Sequence, residues 1–316
     1  MRTPARVVVF GGTGFLGRAL IPHLAALGYR IVVPTRDPAK ALPLKTAGPV
    51  GQVVPIPLSL RNEAAVARVL VRADVVFNLI GILTEHGAST FEALHVQTAA
   101  RLARLAREAG ALRFVHVSAL GVGAHSSSRY ARTKAAGEEA VRTFLPSCTV
   151  FRPGLMLGHG DRFVGQWTTM ARWSPVLPLI GGGVTLLQPV DVDDVATALT
   201  LTLTTPAMEG KTYALGGPSV YSLRHLTERI VQGTGRRHYL VPVPWRVALG
   251  LGRIFELFPT PPWTRDVVRL LETDNVVRCD LPTFADLGLK PRAIETLLPS
   301  LLDGPGQRPE GLANLR

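Results

Sequence analysis

The segment at residues 6–18 (RVVVFGGTGFLGR) constrains the fold of this chain more than any other stretch of the sequence. Residues 7–10 are apolar without alternation, which is typical of a parallel strand that is buried on both faces. Glycine at positions 11, 14 and 17 permits positive φ angles, close approach of a ligand to the backbone, and tight packing of a helix on its strand. The segment therefore predicts a strand, a tight turn and the start of a helix.

The helix start that follows the glycines is predicted to bind a pyrophosphate. Its first amides have no partner within a helix, and together with the helix dipole they favour an anion. Ala19, Leu20, Leu24 and Leu27 then continue the segment with helical spacing. A strand before the glycines and a helix after them favour an adenine dinucleotide site over a glycine turn with only a structural role.

The residue that ends the second predicted strand, at residues 30–36, indicates which dinucleotide binds. It lies roughly twenty residues beyond the glycines, where an acidic side chain would accept hydrogen bonds from a free ribose 2′-hydroxyl. This chain has Arg36 there, and a planar guanidinium matches a 2′-phosphate. We therefore expect NADP(H), with NAD(H) as the less favoured cofactor. The alternatives are that Asp37 contacts the ribose, or that Arg36 is only solvated.

The balance of charges predicts an anionic partner. The 316-residue chain carries 35 Lys and Arg against 23 Asp and Glu, a formal net charge of +12. Such a charge attracts an anionic membrane surface, an acidic protein or nucleic acid, unless it reflects only a basic composition across the source organism. The sequence has no helix-turn-helix, zinc-finger or aromatic RNA-binding motif, so no nucleic-acid partner is expected.

The cysteines and histidines predict neither a disulfide framework nor a metal site. Cys148 and Cys279 are the two cysteines, and the eight histidines lack metal-ligand spacing. No apolar run reaches the roughly eighteen residues of a membrane span, and residues 1–10 contain no apolar leader. We expect a chain without bound metal, in a reducing compartment, on the side of the membrane where it is made.

Strands and helices alternate through the first half of the sequence. Strands are predicted at residues 7–10, 30–34, 52–56, 74–79, 113–117 and 148–151, with helices starting near Gly14, Asn62, Phe91 and Arg129. This alternation predicts an α/β fold with a doubly wound parallel sheet. Residues 1–154 are expected to form the dinucleotide-binding domain, 155–302 a smaller mixed α/β lobe on the substrate side that is interleaved with it, and 303–316 a loose tail.

Residues 245–258 (WRVALGLGRIFELF) form a distinctive segment in the second half. Apolar residues cover most faces of a helix here, interrupted by Arg246, Arg253 and Glu256. A core helix of the smaller lobe is the preferred interpretation. The alternative is a helix whose Leu, Phe and Trp side chains lie, beside the arginines, against a bilayer interface or a partner helix.

Tyr130 and Lys134 form the candidate catalytic pair. They are four residues apart in the stretch 126–134 (SSSRYARTK), and therefore share one face of a helix. A lysine ammonium near a phenol stabilises the phenolate and lowers the tyrosine pKa, while the same lysine can bind the nicotinamide ribose. Such a pair occurs by chance in many helices, but after a glycine-rich dinucleotide segment it indicates a cofactor site.

Together these motifs resemble the short-chain dehydrogenase/reductase superfamily, in its extended or atypical branch, over about residues 5–300. The resemblance implies a Rossmann fold of the extended type. It rests on the glycine motif at 11–17, the loop after the fourth strand at 78–81, the end of the fifth strand at 115–118, the pair Tyr130 and Lys134, and the segment beside the nicotinamide at 152–154. The cofactor-binding residues that it implies are Gly11, Thr13, Gly14, Phe15, Leu16, Gly17, Arg36, Leu79, Ile80, Gly81, Val117, Ser118, Tyr130, Lys134 and Pro153.

One departure from the superfamily pattern concerns catalysis. Active members place a Ser or Thr one or two residues beyond the serine that ends the fifth strand, and its hydroxyl polarises the substrate carbonyl. This chain has Ala119 and Leu120 there. Ser118 can substitute only if the backbone points it at the nicotinamide, and its other role is a hydrogen bond to the strand end or the cofactor. Loss of such a donor typically costs a few kcal/mol of transition-state stabilisation.

Further segments resemble the NADPH-binding accessory-subunit family of respiratory complex I, NADH:ubiquinone oxidoreductase. They are residues 126–138, 161–163, 188–190 and 262–266. The resemblance implies tightly held NADPH with a structural role, complex I subunits as partners, and a position close to the quinone site and the membrane. The expected location is peripheral, on the cytoplasmic side of a bacterial inner membrane, or on the matrix side if the chain is eukaryotic and processed. An anionic membrane surface is a further expected partner.

Two functional hypotheses follow from the sequence. The first is a largely non-catalytic accessory or assembly subunit of complex I, indicated by Ala119 and Leu120 together with the family resemblance. The second is an active NAD(P)H-dependent reductase or epimerase for a hydrophobic or sugar-nucleotide substrate, indicated by Tyr130 and Lys134. A redox sensor that binds NADPH and a partner cannot be separated from the first hypothesis by sequence.

Overall fold

The computed structural model describes residues 5–235, 237–258 and 261–302. The strands are β1 (Arg6–Phe10), β2 (Arg30–Thr35), β3 (Val53–Pro57), β4 (Val75–Asn78), β5 (Arg113–Val117), β6 (Thr149–Pro153), β7 (Met156–Leu157), β8 (Val176–Ile180), β9 (Leu186–Leu187), β10 (Val190–Asp191), β11 (Thr212–Leu215), β12 (Tyr221–Ser222) and β13 (Tyr239–Val243). The α-helices are α1 (Phe15–Ala26), α2 (Glu63–Leu70), α3 (Thr98–Glu108), α4 (Arg129–Phe144), α5 (Arg162–Trp173), α6 (Val192–Leu201), α7 (Leu223–Gln232), α8 (Trp245–Phe255), α9 (Arg265–Leu270) and α10 (Ile294–Leu302).

A parallel sheet of seven strands forms the centre of the described fold, in the order β11-β6-β5-β4-β1-β2-β3. In β1, Val7 is in register with Ile31 of β2 on one side and with Val75 of β4 on the other. Strands β2 and β3 therefore lie on one side of β1, and β4, β5 and β6 lie on the other. This arrangement confirms the predicted doubly wound sheet, and it opens a ligand crevice at the carboxyl ends of β1 and β4.

The apolar run of β1 is buried because helices cover both faces of the sheet. Val7 and Val9 pack on one face in the cluster that contains Leu20 of α1. Val8 and Phe10 pack on the other face in a cluster with side chains of α2 and α3. These four side chains are fully buried, which explains why the strand lacks polar alternation.

The chain after β6 forms a smaller group of elements and also contributes β11 to the edge of the central sheet. Trp167 of α5, Leu226 of α7 and Leu298 of α10 lie in a separate apolar cluster. Strand β8 pairs in parallel with β13 next to this cluster. The domain boundary at residue 154 stays a prediction, and the predicted loose tail at 303–316 lies outside the described residues.

Helix α8 departs from the preferred interpretation of a core helix. Its only buried residues are Ala248 and Gly252, which are small enough for α9 to approach closely. A Cβ added to Gly252 would lie 3.0 Å from the main-chain nitrogen of Arg265. Because only this narrow side packs, apolar side chains elsewhere on and after the helix remain exposed, including Ile254 and Leu257.

Candidate functional site

The glycine turn after β1 has the close contacts that its spacing predicts. Gly11 has φ of +81°, in the left-handed region that favours glycine. A Cβ added to Gly11 would lie 2.9 Å from the carbonyl carbon of Leu79, and one added to Gly17 would lie 2.4 Å from the main-chain oxygen of Gly12. The turn therefore lets the loop after β4 and the first turn of α1 approach β1 without a side chain between them.

Helix α1 begins at this turn with an uncapped N-terminus. Gly14 occupies the N-cap position without a side-chain hydrogen bond, and no acidic residue lies in the first turn. The predicted residues Phe15, Leu16 and Gly17 form that first turn, so its amides and the positive end of the helix dipole face the crevice. The arrangement has the features of a pyrophosphate site.

Arg18 is a candidate phosphate contact that the sequence reasoning missed. Its guanidinium extends back over the turn and donates a 3.1 Å hydrogen bond to the main-chain oxygen of Thr13, another predicted cofactor residue. It also lies 3.4 Å from the position of a Cβ added to Gly160. The signal available in the sequence was its position four residues after Gly14, one helical turn beyond the glycine motif.

Arg36 follows β2 directly and is exposed. Among the described residues its guanidinium has no hydrogen-bond or ion-pair partner. The neighbouring Asp37 accepts a 3.1 Å hydrogen bond from the amide of Ala39, and its carboxylate lies 3.7 Å from the ammonium of Lys40. Asp37 is therefore engaged with the chain that follows it, while the guanidinium of Arg36 stays available for a ligand.

The loop after β4 runs from the glycine turn to Lys134. Its first residue, Leu79, contacts Gly11, and the amide of Ile80 donates a 3.2 Å hydrogen bond to the side-chain oxygen of Asn78. A Cβ added to Gly81 would lie 3.6 Å from the ammonium nitrogen of Lys134. The structure thus brings the predicted loop residues and the predicted lysine to the same wall of the crevice.

Lys134 lies at the centre of this wall. Its side chain is buried, and its ammonium donates a 2.8 Å hydrogen bond to the main-chain oxygen of Val117 at the end of β5. A lysine has three N–H donors, and in the described residues only this one has an acceptor. Burial lowers its pKa to about 8, an effect that the carboxylate of Glu138 partly opposes.

Tyr130 stands one helical turn before Lys134 on α4, as the spacing predicts. Burial raises the pKa of its phenol to about 12. The sequence predicted the opposite shift, because a nearby ammonium stabilises a phenolate. In the structure, burial is the cause of the shift, so the phenol is neutral over the physiological range.

Ser118 and Pro153 complete the set of predicted residues at the strand ends. The amide of Ser118 donates a 2.7 Å hydrogen bond to the main-chain oxygen of Phe151, and the oxygen of Pro153 accepts a 2.9 Å bond from the amide of Leu120. The Ser118 hydroxyl is buried and has no hydrogen-bond partner among the described residues. Ala119 and Leu120 offer no hydroxyl, as the sequence shows.

These features fit a pyridine dinucleotide. The glycine turn has no side chain in the way of a pyrophosphate, and the uncapped α1 start offers donors to it. Lys134 has two donors to spare for ribose hydroxyls, and the orphaned Ser118 hydroxyl lacks the partner that a buried polar group normally has. Gly11, Gly14, Lys134 and Ser118 would hold the dinucleotide along the carboxyl ends of the parallel strands.

Residues of α9 and of the segment after it hold the start of α4 and the loop after β5, which the sequence analysis did not predict. Asp266 of α9 accepts hydrogen bonds from the amides of Arg129 and Tyr130 at 2.6 and 3.0 Å, and from the hydroxyl of Ser128 at 2.8 Å. Asn275 then donates a 3.0 Å bond to the main-chain oxygen of Leu120. The start of α4 and the loop after β5 are thereby held by residues distant in sequence.

Comparison with known proteins identifies relatives over most of the chain. The sequence model described as the NAD dependent epimerase/dehydratase family matches residues 7–216. NADH dehydrogenase (ubiquinone) 1 alpha subcomplex subunit 9, mitochondrial, of Arabidopsis thaliana is 39% identical over 299 residues, which cover 91% of this chain and 74% of that protein. The protein of the same name from Rattus norvegicus is 37% identical over 290 residues, which cover 91% of this chain and 77% of that protein.

A solved structure supports the fold at lower sequence identity. The dTDP-glucose 4,6-dehydratase of Streptomyces venezuelae, crystallised with NAD and TYD bound, superposes with a TM-score of 0.71. The match covers 94% of this chain and 95% of the dehydratase, at 20% sequence identity. At that identity the likeness concerns the fold alone.

Proposed function

The chain belongs to the NAD dependent epimerase/dehydratase family and to the family of the alpha-subcomplex subunit 9 proteins, and we propose that it is an NADP(H)-binding accessory subunit of respiratory complex I. Complex I is the NADH:ubiquinone oxidoreductase that the relatives' names denote. In this proposal the chain contributes to assembly and stability of the complex, and its cofactor has a structural role.

A structural role for the cofactor is supported by the residues that line the crevice beside Tyr130, which lack the hydroxyl donor that active members of the superfamily use. The usual hydroxyl donor is replaced by Ala119 and Leu120, so a developing oxyanion would lack a stabiliser. Asp266 and Asn275 bind the start of α4 and the loop after β5 from within the chain. The phenol of Tyr130, with its pKa raised to about 12, is poorly suited to exchange a proton near neutral pH.

The preference for NADP(H) is inferred from Arg36. The side chain is exposed at the end of β2 and has no partner among the described residues, while the nearby Asp37 is engaged elsewhere. A guanidinium there favours a 2′-phosphate, and an acidic residue would repel it. Arg18, on the first turns of α1, adds a second cation near the glycine turn.

A bound nicotinamide can accept or donate a hydride, and the residues of this chain determine whether that chemistry is used. Lys134 would orient the ribose through its two spare donors, and Ser118 would donate to or accept from the cofactor. Asp266 and Asn275 would keep the start of α4 and the loop after β5 in place beside the cofactor. This arrangement favours retention of the dinucleotide over turnover.

We also infer that the chain lies peripherally against an anionic membrane surface through α8. Val247, Ile254 and Phe258 are spaced seven and four residues apart, on one side of the helix and the turn after it, and each is more than half exposed. Arg246 and Arg253 are exposed beside them and have no acidic partner among the described residues. We call Arg246, Val247, Arg253, Ile254, Leu257 and Phe258 the α8 surface.

The composition of the α8 surface matches a bilayer interface. Apolar side chains beside arginines lie at the boundary of headgroups and acyl chains, and the net charge of +12 adds attraction to anionic lipid. In the described residues no helix has both the length and the apolar character for crossing a bilayer. The proposed location is the cytoplasmic face of a bacterial inner membrane, or the matrix face in a mitochondrion.

Capture from native membranes tests the assignment to complex I. A chromosomally tagged chain is purified after mild detergent extraction, and mass spectrometry identifies the proteins and the nucleotide that accompany it. We expect complex I subunits and NADP(H) in near-stoichiometric amounts. A free protein in membrane-depleted lysate, together with an intact complex I in the deletion strain, would exclude the proposal.

The second candidate function is an NAD(P)H-dependent reductase or epimerase for a hydrophobic or sugar-nucleotide substrate. The observation that favours it is the pair Tyr130 and Lys134, which the structure places on one face of α4. This candidate requires hydride transfer to at least one aldehyde, quinone or sugar nucleotide, and loss of that activity in Tyr130→Phe while NADPH still binds. The absence of transfer across such a panel would count against it.

A further inference from the structure

His95 lies at the junction of the cofactor-facing elements, although no sequence motif singled it out. It belongs to a π-helical stretch, Glu92–Gln97, that precedes α3, and its side chain is 1% exposed. Its ring stacks on Phe91 at 5.4 Å between centroids and meets the ring of Tyr130 edge-on, also at 5.4 Å. The imidazole therefore forms part of the wall against which the Tyr130 phenol packs.

Both ring nitrogens of His95 have partners. The amide of Ile82 donates a 3.2 Å hydrogen bond to Nε2, so that nitrogen carries no proton. Nδ1, which then bears the hydrogen, lies 3.0 Å from the hydroxyl oxygen of Thr133 and donates to it. Burial and the positive charge of Lys134 lower the pKa of His95 to about 3, so the ring is neutral near pH 7.

These two hydrogen bonds connect elements that the cofactor site needs at a fixed separation. Ile82 follows the loop that runs from Leu79, against the glycine turn, to Gly81, against the Lys134 ammonium. Thr133 lies on α4 directly before Lys134, and its hydroxyl donates to the main-chain oxygen of Arg129 one turn earlier. One imidazole thus bridges the loop after β4 and the helix that carries the candidate pair.

The π-helical stretch places His95 where it can make this bridge. The stretch packs closely on α4, because a Cβ added to Gly137 would lie only 2.1 Å from the main-chain oxygen of His95. The hydroxyl of Thr98 donates a 2.7 Å hydrogen bond to the main-chain oxygen of Ala93 within the same stretch. Single π-turns inside helices occur often at functional sites.

We propose that His95 is a positioning residue for the nicotinamide half of the dinucleotide site. Through Ile82 and Thr133 it sets the distance between the loop after β4 and the face of α4 that holds Tyr130 and Lys134. This inference rests on the proposed NADP(H) site. It assigns no contact with the adenine half, which the glycine turn and Arg36 would hold.

The test compares two ligands that differ in the half of the site they reach. NADPH fills both halves, whereas adenosine 2′,5′-bisphosphate lacks the nicotinamide ribose. Calorimetry gives both affinities for the full chain, wild type and variants. Because a net hydrogen bond contributes about 0.5–1.5 kcal/mol, we expect Thr133→Val to weaken NADPH binding roughly 2- to 10-fold and His95→Leu to weaken it at least 10-fold. The affinity for adenosine 2′,5′-bisphosphate should stay within about twofold.

Two further variants distinguish a positioning role of His95 from a general loss of folding. His95→Gln retains an acceptor and a donor and should recover part of the NADPH affinity. Thr143→Val removes a hydroxyl that donates to the main-chain oxygen of Glu139 on the exposed side of α4, away from the bridge, and it should bind both ligands like the wild type. The fluorescence emission of bound NADPH should also change in the His95 and Thr133 variants, because this emission depends on the surroundings of the nicotinamide.

The outcomes distinguish this inference from the function on which it rests. Equal losses for both ligands, or unchanged NADPH affinity in the His95 and Thr133 variants, would overturn the positioning role while the cofactor site stands. A wild-type chain that binds neither ligand would overturn the proposed function, and the role of His95 with it. If His95→Leu does not fold, Thr133→Val decides, because Thr133 is partly exposed and the change preserves its shape.

Discussion

The ammonium of Lys134 on α4 donates a 2.8 Å hydrogen bond to the main-chain oxygen of Val117, the last residue of β5. This contact joins the candidate pair to the sheet at the carboxyl ends of the strands, where doubly wound folds bind their ligands. It also keeps a cation within a buried site. The other two N–H donors of the ammonium have no acceptor among the described residues.

Replacing Lys134 should weaken cofactor binding. In Lys134→Met the ribose loses a charged donor, and a hydrogen bond to a charged group is typically worth about 1.5–3 kcal/mol, so NADPH affinity should fall roughly 10- to 100-fold. Calorimetry measures the affinity. Lys290→Met, at an exposed position outside the crevice, is the control and should bind like the wild type. An unchanged affinity in the Lys134 variant would contradict the assigned ribose contact.

The stability of the cofactor-free chain should depend on pH through Lys134. Burial lowers its pKa from the ordinary lysine value of 10.5 to about 8, so between these values the folded chain has released a proton that the unfolded chain still holds. Since the unfolded state binds more protons, the free energy of unfolding should rise as the pH increases from about 8 to 10.5. Below pH 8 both states are protonated, and this contribution no longer changes.

Urea unfolding of the wild type and Lys134→Met at a series of pH values on both sides of the folded-state pKa of about 8 isolates that contribution. Other groups titrate in both proteins, so the difference between the two free energies of unfolding carries the signal. The wild type should gain stability relative to the variant as the pH rises above about 8. A difference that is constant with pH, or that falls, would show that the buried ammonium is not destabilising.

Arg36 should determine the choice of dinucleotide. Arg36→Ser removes the proposed 2′-phosphate contact, so NADPH affinity should fall roughly 10- to 100-fold while NADH affinity changes little. Competition binding with both coenzymes measures the ratio. Arg61→Ser removes another exposed arginine and should leave the ratio unchanged. Equal effects on the two coenzymes would place the 2′-phosphate elsewhere, with Arg18 as the next candidate.

Asp266 should stabilise the start of α4 from the C-terminal side. Asp266→Ala removes an acceptor shared by the amides of Arg129 and Tyr130 and the hydroxyl of Ser128, so the free energy of unfolding should fall by about 1–3 kcal/mol. Denaturant unfolding measures it. Asp280→Ala, whose carboxylate makes no hydrogen bond in the described residues, should lie within about 0.5 kcal/mol of the wild type.

The α8 surface should bind anionic vesicles. Each arginine near such a surface contributes about 1 kcal/mol, so reversing Arg246 and Arg253 to glutamate should weaken binding to phosphatidylglycerol-containing vesicles by at least about tenfold. Cosedimentation measures the bound fraction. The control replaces Arg61 and Arg68, which are exposed in another part of the chain, with glutamate. It has the same net charge as the first double variant and should weaken vesicle binding much less. Equal losses would indicate attraction through net charge alone.

Local patterns in the sequence predicted the elements that depend on neighbouring residues. The glycine turn at Gly11 and the shared helical face of Tyr130 and Lys134 follow from spacing within one strand, turn or helix. The parallel, doubly wound character of the sheet follows from the alternation of strands and helices. These parts of the fold and of the candidate site were therefore predictable without coordinates.

Contacts between distant residues were not predictable in the same way. Asp266 reaches the amide of Tyr130 across 136 positions, and nothing near either residue indicates the pairing. His95 is a lone histidine whose role depends on Ile82 and Thr133 from two other elements. The direction of the Tyr130 pKa shift was also wrong in the sequence analysis, because the degree of burial depends on the folded chain.

Titration calorimetry of folded, nucleotide-free protein with NADPH measures whether a pyridine dinucleotide binds across the carboxyl end of β1. We expect one site per chain, with weaker binding of NADH. Absence of heat with both coenzymes, over a range of temperatures that excludes an accidental zero in the enthalpy, would contradict this expectation.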